Sequence, residues 1–253
     1  AGGRGRGMVL TPAARAMARG ARLAAGEITA AIDEARGNKN EGRRIAVGAM
    51  PLSRALVLPH ALAHFLRDTP EAIVDVIEGS WRELVDPLLD GEIDLMIGAL
   101  RDDPPPGLEQ APLFTDRLAI FGREQHPLAG KTVSLADLRT QSWVVGPVGT
   151  PLRAHWEALF DGQSPPPVPV ECGSVMVIRG LLMRSDLLTL LSPDQVAMEI
   201  AAGALARVGP DLPDRARVIG ISTRSGWRPT RAQQRLIDLL NIASIETRHQ
   251  ENQ

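Results

Sequence analysis

The chain has 253 residues, of which 44% are hydrophobic and 23% charged, and its formal net charge is −2. This composition is that of an ordinary globular protein of one or two domains, and it excludes a chain that binds polyanions over its whole surface. The single cysteine excludes an internal disulfide and a multi-thiolate metal site, and no apolar stretch approaches the roughly 20 residues of a membrane-spanning helix.

The first 36 residues are basic and predict a long helix. Arg4 and Arg6 lie in a segment rich in arginine and poor in acids, a pattern suited to phosphate contact. Thr11 followed by Pro12 is a helix-start signal, and we expect a helix over 12–36. Small or apolar residues recur at heptad spacing at Met17, Ala21, Ala24, Ile28, Ala31 and Ala35. This seam predicts pairing with a second helix. The segment lacks the apolar core of a signal peptide, which favours a cytoplasmic protein.

A polar, glycine-flanked stretch separates this helix from the globular part. Residues 37–42, GNKNEG, predict a hinge. A strand over 44–49 follows, and then a helix over 53–67 whose apolar residues cover more than one face. Such a helix has two partners, for which the sheet and a second subunit are candidates. Pro59 should lie in its first turn or kink it, and the next strand is predicted over 72–78.

The stretch SWRELVDPLLDGEIDLMIGAL contains the most informative pattern. Ser80 and Glu83 have the spacing of a capping box, so a helix should begin near Trp81. Gly91 predicts its end. Asp94 then introduces LMIGA, an apolar run that suits a strand buried on both faces of a parallel sheet.

The same alternation of strands and helices continues to the C-terminus. Strands are predicted over 108–114, 118–121, 143–145, 168–171, 187–191, 205–208 and 218–223. Helices are predicted over 134–138, 152–161, 174–184, 193–203 and 230–246. Strands that alternate with helices indicate βαβ units and a mostly parallel sheet.

The helix, Gly91, Asp94 and strand, followed by PLFTDRLAIFGREQHPLAG, resemble the effector-binding domain of LysR-type transcriptional regulators. The resemblance implies an α/β, two-lobed fold like that of type 2 periplasmic binding proteins. Each lobe would be a mixed, mostly parallel sheet flanked by helices, and a long linker helix would precede them. The implied parts are a wing remnant of a winged helix-turn-helix (1–10), a linker and dimerisation helix (11–36), a hinge (37–42), lobe I (43–120 and 219–246) and lobe II (121–218).

The resemblance also implies partners. Arg4 and Arg6 would contact the DNA backbone, and the DNA-recognition helix would precede residue 1. The linker helix would pair subunits into a homodimer or homotetramer, and a small molecule between the lobes would alter DNA binding by the full-length protein. The segments GTPLR, VIRGLL and IGISTRSGWRPT most resemble regulators of sugar-binding-protein genes and some regulators of aromatic catabolism. Both a sugar and a small organic acid remain candidate effectors.

The position of a ligand site can be predicted independently of the resemblance. In open α/β sheets, ligands bind at the C-terminal ends of strands, against helix N-termini. The candidate effector-binding residues in the loops that this rule selects are Met50, Leu52, Ser53, Ser80, Ala99, Leu100, Val148, Gly149, Thr150, Arg153 and Ser174. The hydroxyls would contact ligand oxygens or only cap their helices, and Arg153 is a possible carboxylate partner. In the family that the chain resembles, many members have a basic residue where Ala99 stands, and this departure argues against a strongly anionic effector unless Arg153 compensates for it.

No motif points to catalysis, to a metal or to a cofactor. The Rossmann glycine motif, the Walker loop and the G-x-S-x-G nucleophile motif do not occur. His60 and His64 are four positions apart, but no acidic third ligand accompanies them, which favours a surface or interface role. We therefore expect a ligand-sensing regulatory domain that is not an enzyme and has no membrane partner. The alternatives are a periplasmic-type solute-binding protein and, less favoured, an enzyme on the same fold.

Overall fold

The computed structural model describes residues 11–36, 44–53, 55, 57–212 and 214–251, so the predicted wing remnant with Arg4 and Arg6 and the predicted hinge lie outside the described residues. The long helix and the first lobe comprise α1 (Pro12–Arg36), β1 (Arg44–Ala49), α2 (Val57–Asp68), β2 (Ile73–Glu78), α3 (Trp81–Leu89), β3 (Leu95–Ala99), β4 (Leu108–Arg117), β10 (Ala216–Arg224) and α8 (Arg231–Glu251). The second lobe comprises β5 (Ala119–Arg123), α4 (Leu135–Arg139), β6 (Val144–Val145), α5 (Pro151–Glu157), β7 (Val170–Glu171), α6 (Val175–Leu182), β8 (Thr189–Leu191), a 3-10 turn (Pro193–Val196), α7 (Ala197–Ala201) and β9 (Leu205–Arg207).

The first lobe is built on a five-stranded sheet in the order β2-β1-β3-β10-β4. β1 pairs in parallel with β2 and β3, whereas β10 runs antiparallel to β3 and β4. Leu95, Met96 and Ile97 of β3 are fully buried. The strand buried on both faces that the LMIGA run predicted is therefore confirmed.

The second lobe contains a three-stranded sheet in the order β8-β5-β9 and a short parallel pair of β6 and β7. A parallel bridge between Trp143 and Leu188 lies beside them. β5 runs antiparallel to both β8 and β9. The two-lobed α/β fold with mixed sheets confirms the predicted class, but a parallel majority is wrong for the three-stranded sheet.

In each lobe, one strand that is distant in sequence from its neighbours lies between two strands that are parallel to each other. This strand runs in the opposite direction and is antiparallel to both. β10 lies between β3 and β4, and β5 lies between β8 and β9. The 3-10 turn and α7 connect β8 to β9 as a crossover, as the alternating pattern predicted. Local patterns do not reveal the insertion, because it joins residues such as Asp116 and Arg217 that are 101 positions apart.

The chain passes between the lobes twice, at Leu118 and between β9 and β10. The two crossing segments are joined by a hydrogen bond of 2.9 Å from Leu118 N to Arg215 O. The boundaries predicted after residue 120 and before residue 219 therefore fall two residues inside β5 and three residues inside β10.

Apolar clusters cover both faces of the first sheet. On one face, Phe65 of α2 and Leu236 and Leu240 of α8 pack over β1. On the other face, Leu84 and Leu88 of α3 pack with Met96. Helix α2 contacts α8 as well as the sheet. Helix α8 of the same chain therefore covers part of the second apolar face of α2, for which a partner subunit was a candidate.

The first turn of α2 differs from the prediction. The helix begins at Val57 rather than at Ser53, because Ser53 lies in a preceding turn where its hydroxyl bonds to Met50 O at 2.8 Å and to Ile97 O at 3.1 Å. Pro59 lies in the first turn of the helix, as predicted, where no intrahelical amide donor is needed.

Helix α1 lies across the turn that follows α3. Arg22 donates to Asp90 O at 3.1 Å and forms an ion pair of 3.1 Å with Glu92. Met17 and Ile28 of the predicted heptad seam are 77% and 61% exposed, so the seam faces away from the lobe. Among the described residues, no helix combines the length and apolar character needed to span a bilayer.

Candidate functional site

A cavity of about 760 Å³ lies between the two lobes. Its walls are formed by the loops that follow β1, β2 and β3 in the first lobe and β6, β7 and β8 in the second. All six loops leave the C-terminal ends of their strands, as the rule for open α/β sheets requires. The volume is within the range of small-molecule sites in proteins.

Seven of the predicted site residues line this cavity. They are Met50, Leu52, Ser80, Ala99, Val148, Gly149 and Thr150. Their convergence follows from the sheet topology, because β1 and β3 are neighbours and the loop after β6 meets them from the other lobe. Ligand contact by these residues remains a prediction.

Four predicted site residues lie outside the lining of this cavity, and ligand contact by them also remains a prediction. Ser53 is fully buried beneath the loop after β1. Leu100 is directed toward Gly220 of β10. Ser174 caps α6, where its hydroxyl accepts a hydrogen bond of 3.4 Å from Val177 N.

Arg153 is the fourth of these residues, and it is occupied by acids of its own lobe. Its guanidinium donates to Glu157 and Glu171, each at 2.7 Å, and stacks over Trp156. The hydrogen bond to Glu171 is the main cause of the raised pKa of Arg153, and the charge of Glu157 adds to it. The carboxylate partner of Arg153 is therefore the protein itself.

The hydroxyl groups that line the cavity are already used as donors. Ser80 donates to the Glu83 carboxylate at 2.7 Å, and Thr150 donates to Pro147 O at 2.8 Å. Thr150 also accepts a hydrogen bond from Arg153 N at 3.4 Å, so its oxygen caps α5. Helix capping, one of the two roles considered for these hydroxyls, is thus present at Thr150.

Several cavity residues were not predicted from the sequence. They include Trp81, Arg101, Thr189, Gln195 and Arg217. Trp81 and Arg101 each lie one residue beyond a selected position, Ser80 and Leu100, so a wider window around each strand end would have included them. Arg217 enters from the inserted strand β10, which no local signal places beside the cleft.

A buried ion pair lies where the chain crosses between the lobes. Arg217 Nε donates to Asp116 Oδ2 at 2.7 Å, and only 13% of the Arg217 side chain and 1% of the Asp116 side chain are exposed. His155 lies in the same electrostatic environment. Burial lowers the pKa of His155, Arg217 and Arg215 lower it further, and Asp116 opposes them.

Arg101 is the other arginine held partly out of solvent at the cavity. Its main chain is fixed by the Gln110 side chain, which accepts from Arg101 N at 3.1 Å and donates to Arg101 O at 3.3 Å. Its guanidinium carbon lies 5.1 Å from the centre of the Trp81 ring. Burial lowers the pKa of Arg101. Within the described ranges, no group of three or more His, Cys, Asp or Glu side chains is arranged to hold a metal ion.

Comparison with known sequences gives one consistent result. Residues 38–243 match the family model described as the LysR substrate binding domain. The HTH-type transcriptional regulator GalR of Pseudomonas putida is 37% identical over 185 residues, which are 72% of this chain and 47% of GalR. The SDS degradation transcriptional activation protein of a Pseudomonas species is 33% identical over 192 residues, 72% of this chain and 61% of that protein. The chain thus spans less than two thirds of either relative.

Solved structures share the fold. A full-length OxyR variant from Pseudomonas aeruginosa has a TM-score of 0.72 at 21% identity, covering 93% of this chain and 76% of that chain. The CcmR regulatory domain of Synechocystis PCC6803, solved in complex with 2-PG, has a TM-score of 0.69 at 21% identity, covering 79% of this chain and 97% of that chain.

Proposed function

Because this chain belongs to the family of LysR substrate-binding domains, we propose that it is the effector-sensing, self-associating part of a LysR-type DNA-binding transcriptional regulator. A small molecule binds between the lobes and alters DNA binding by the full-length protein, in the cytoplasm. The single observation that supports this proposal best is the cavity of about 760 Å³ at which loops from both lobes converge. The chain acts by binding and not by catalysis.

The arrangement of the lobes suits a sensor. A ligand that contacts loops of both lobes favours the arrangement in which those loops are close, and a ligand shifts an equilibrium only by its difference in affinity for the two states. The two crossing segments, joined between Leu118 and Arg215, are where such a change would be absorbed. Lobe closure would then change the position of the second lobe relative to the first lobe and to α1, which Arg22 joins to the first lobe.

Self-association through α1 is part of the proposal. Met17 and Ile28 of its heptad seam are exposed, and an apolar seam of this kind is stabilised when a second helix covers it. Leu66 on α2 is 43% exposed and provides a second candidate contact. A homodimer uses one of these surfaces, and a homotetramer uses both.

The alternatives are not favoured by the relatives. The alternatives were a solute-binding protein and an enzyme on the same fold. The relatives of 37% and 33% identity are instead named as a transcriptional regulator and a transcriptional activation protein. In the full-length protein, an effector that binds in the cavity should change the footprint of the protein on operator DNA. A solute-binding protein would bind its ligand and leave DNA unprotected.

The binding site can be tested on this chain by thermal shift with a panel of sugars and small organic acids. We expect at least one compound to raise the melting temperature, and Gly173→Phe, which places a ring in the cavity, to abolish the shift. Ala202→Phe, on the exposed C-cap of α7, is the matched control and should retain it. A shift of equal size in Gly173→Phe would place the site elsewhere.

A further inference from the structure

The charged side chains around the cavity differ in how they are neutralised. They are Glu78, Arg82, Glu83, Arg101 and Arg217. Glu83 accepts hydrogen bonds from the amide and the hydroxyl of Ser80, and Arg217 is paired with buried Asp116. Glu78 and Arg82 are exposed to solvent.

Arg101 alone among these five combines partial burial with the absence of an acid partner. Within the described part of the chain, no carboxylate lies within ion-pair distance of its guanidinium, whose neighbour is the Trp81 ring. Burial lowers its pKa, because burial opposes the charged form. A guanidinium in this state is stabilised by an incoming anion, and it offers a planar pair of donors that fits a carboxylate.

The three hydroxyl side chains at the cavity do not favour a polyol. The hydroxyl hydrogens of Ser80, Thr150 and Thr189 are each donated to protein oxygens at 2.7 to 2.8 Å. A sugar would therefore find acceptors but no free hydroxyl donor at these three positions. A sugar also needs partners around its whole ring, because each buried hydroxyl left without one is costly.

Much of the remaining cavity wall is apolar. Leu52, Ile178, Leu191, Ile219 and the Trp81 ring contribute to it from both lobes. Burial of apolar ligand surface against such a wall is favourable. The cavity thus combines a partly buried guanidinium, which has no acid partner among the described residues, with a largely apolar wall.

We propose that the effector is a small carboxylate with an apolar body, whose carboxylate pairs with Arg101 beside Trp81. The inference rests on the proposed function and specifies its ligand. The apolar body lies against the residues contributed by both lobes, so one molecule joins the two.

The inference can be tested by calorimetric titration with acids and their uncharged isosteres. The probes are hexanoate, cyclohexanecarboxylate and benzoate, each paired with its primary amide, together with sorbitol and galactose. We expect at least one acid to bind at least tenfold more tightly than its amide. Arg101→Gln should reduce that affinity at least tenfold and remove the preference for acid, whereas Arg101→Lys should retain part of it. Arg184→Gln, which removes an exposed arginine outside the cavity, should leave the affinity within twofold.

The outcomes separate this inference from the function on which it rests. If Arg101→Gln binds the acids as tightly as the unchanged chain does, the inference is overturned. If a sugar or amide binds and the acids do not, and Gly173→Phe abolishes that binding, the ligand class is wrong while the proposed sensor stands. If no probe of any class binds, the inference is overturned and the sensor loses its support as well. Arg101→Gln should fold normally, because it leaves no buried carboxylate without a partner.

Discussion

Gly220 offers the sharpest test of the inserted strand β10. A methyl group at this position would lie closer than 3.0 Å to the main-chain oxygen of Ala111 in β4, and 2.8 and 2.9 Å from the two methyl carbons of Leu100. The Leu100 side chain can rotate away. The carbonyl of Ala111 belongs to the neighbouring strand. Its oxygen must move away until it is at least 3.4 Å from the added methyl group, which is the distance of an ordinary contact.

The cost of Gly220→Ala follows from that movement. Displacing the carbonyl strains or breaks one or two strand hydrogen bonds, each worth about 1 kcal/mol, and overpacking adds about 1 to 3 kcal/mol. We expect the free energy of unfolding to fall by about 3 kcal/mol. For a chain of this size the melting temperature should fall by about 6 to 12 °C, measured by calorimetry and urea denaturation.

Gly180→Ala is the matched control for this prediction. Gly180 lies inside α6, where the nearest atom to an added methyl group is Arg184 Nη1 at 3.9 Å. Alanine should therefore stabilise the chain by about 0.5 to 1 kcal/mol, as expected in a helix interior. If Gly220→Ala changes the free energy of unfolding by less than about 0.5 kcal/mol, the close packing of β10 against β4 is refuted.

Three further predictions concern charge, pH and capping. Arg217→Met should lower the free energy of unfolding by about 3 to 5 kcal/mol in urea denaturation, because it leaves buried Asp116 without its partner; a loss below about 1 kcal/mol would contradict this. Burial holds the pKa of His126 below its ordinary value of 6.5, so the unfolded chain binds the proton more readily than the folded chain does. The free energy of unfolding should therefore decline as the pH falls from about 6.5. In denaturation series at pH 7.5, 6.5 and 5.5, His126→Asn should show a smaller decline than the unchanged chain. Thr150→Val should cost about 1 kcal/mol of stability by removing a helix cap, with little change in ligand affinity by titration, since its hydroxyl hydrogen is donated to Pro147 O.

The sequence was sufficient to predict most elements and the edge of the sheet where the cavity lies. Local signals determine these features, as in the segment from Ser80 to Gly91, where a capping spacing and a glycine mark the two ends of α3. The position of a loop at a strand end follows from the alternation of strands and helices. Seven candidate residues therefore line the cavity.

Side-chain direction and distant pairing were harder to predict. Arg153 was a reasonable carboxylate partner until Glu157 and Glu171 were found on either side of it, and Glu171 lies 18 positions away. Arg101 was not predicted, because it lies one residue beyond the strand end at Ala99 and Leu100. The pairing of Arg153 with Glu171 depends on which charges meet in space, and spacing along the chain does not encode that.

The position of β10 in the first sheet has a consequence for biosynthesis. As the chain emerges, β1 to β4 are made early, but β3 and β4 have no strand between them until residues 216–224 appear. The second lobe needs only residues between the two crossings, so it can complete its three-stranded sheet first. During that interval the edges of β3 and β4 are open to pairing with other chains, which is a recognised route to aggregation. The lobe that the ribosome begins first is thus the last that can close.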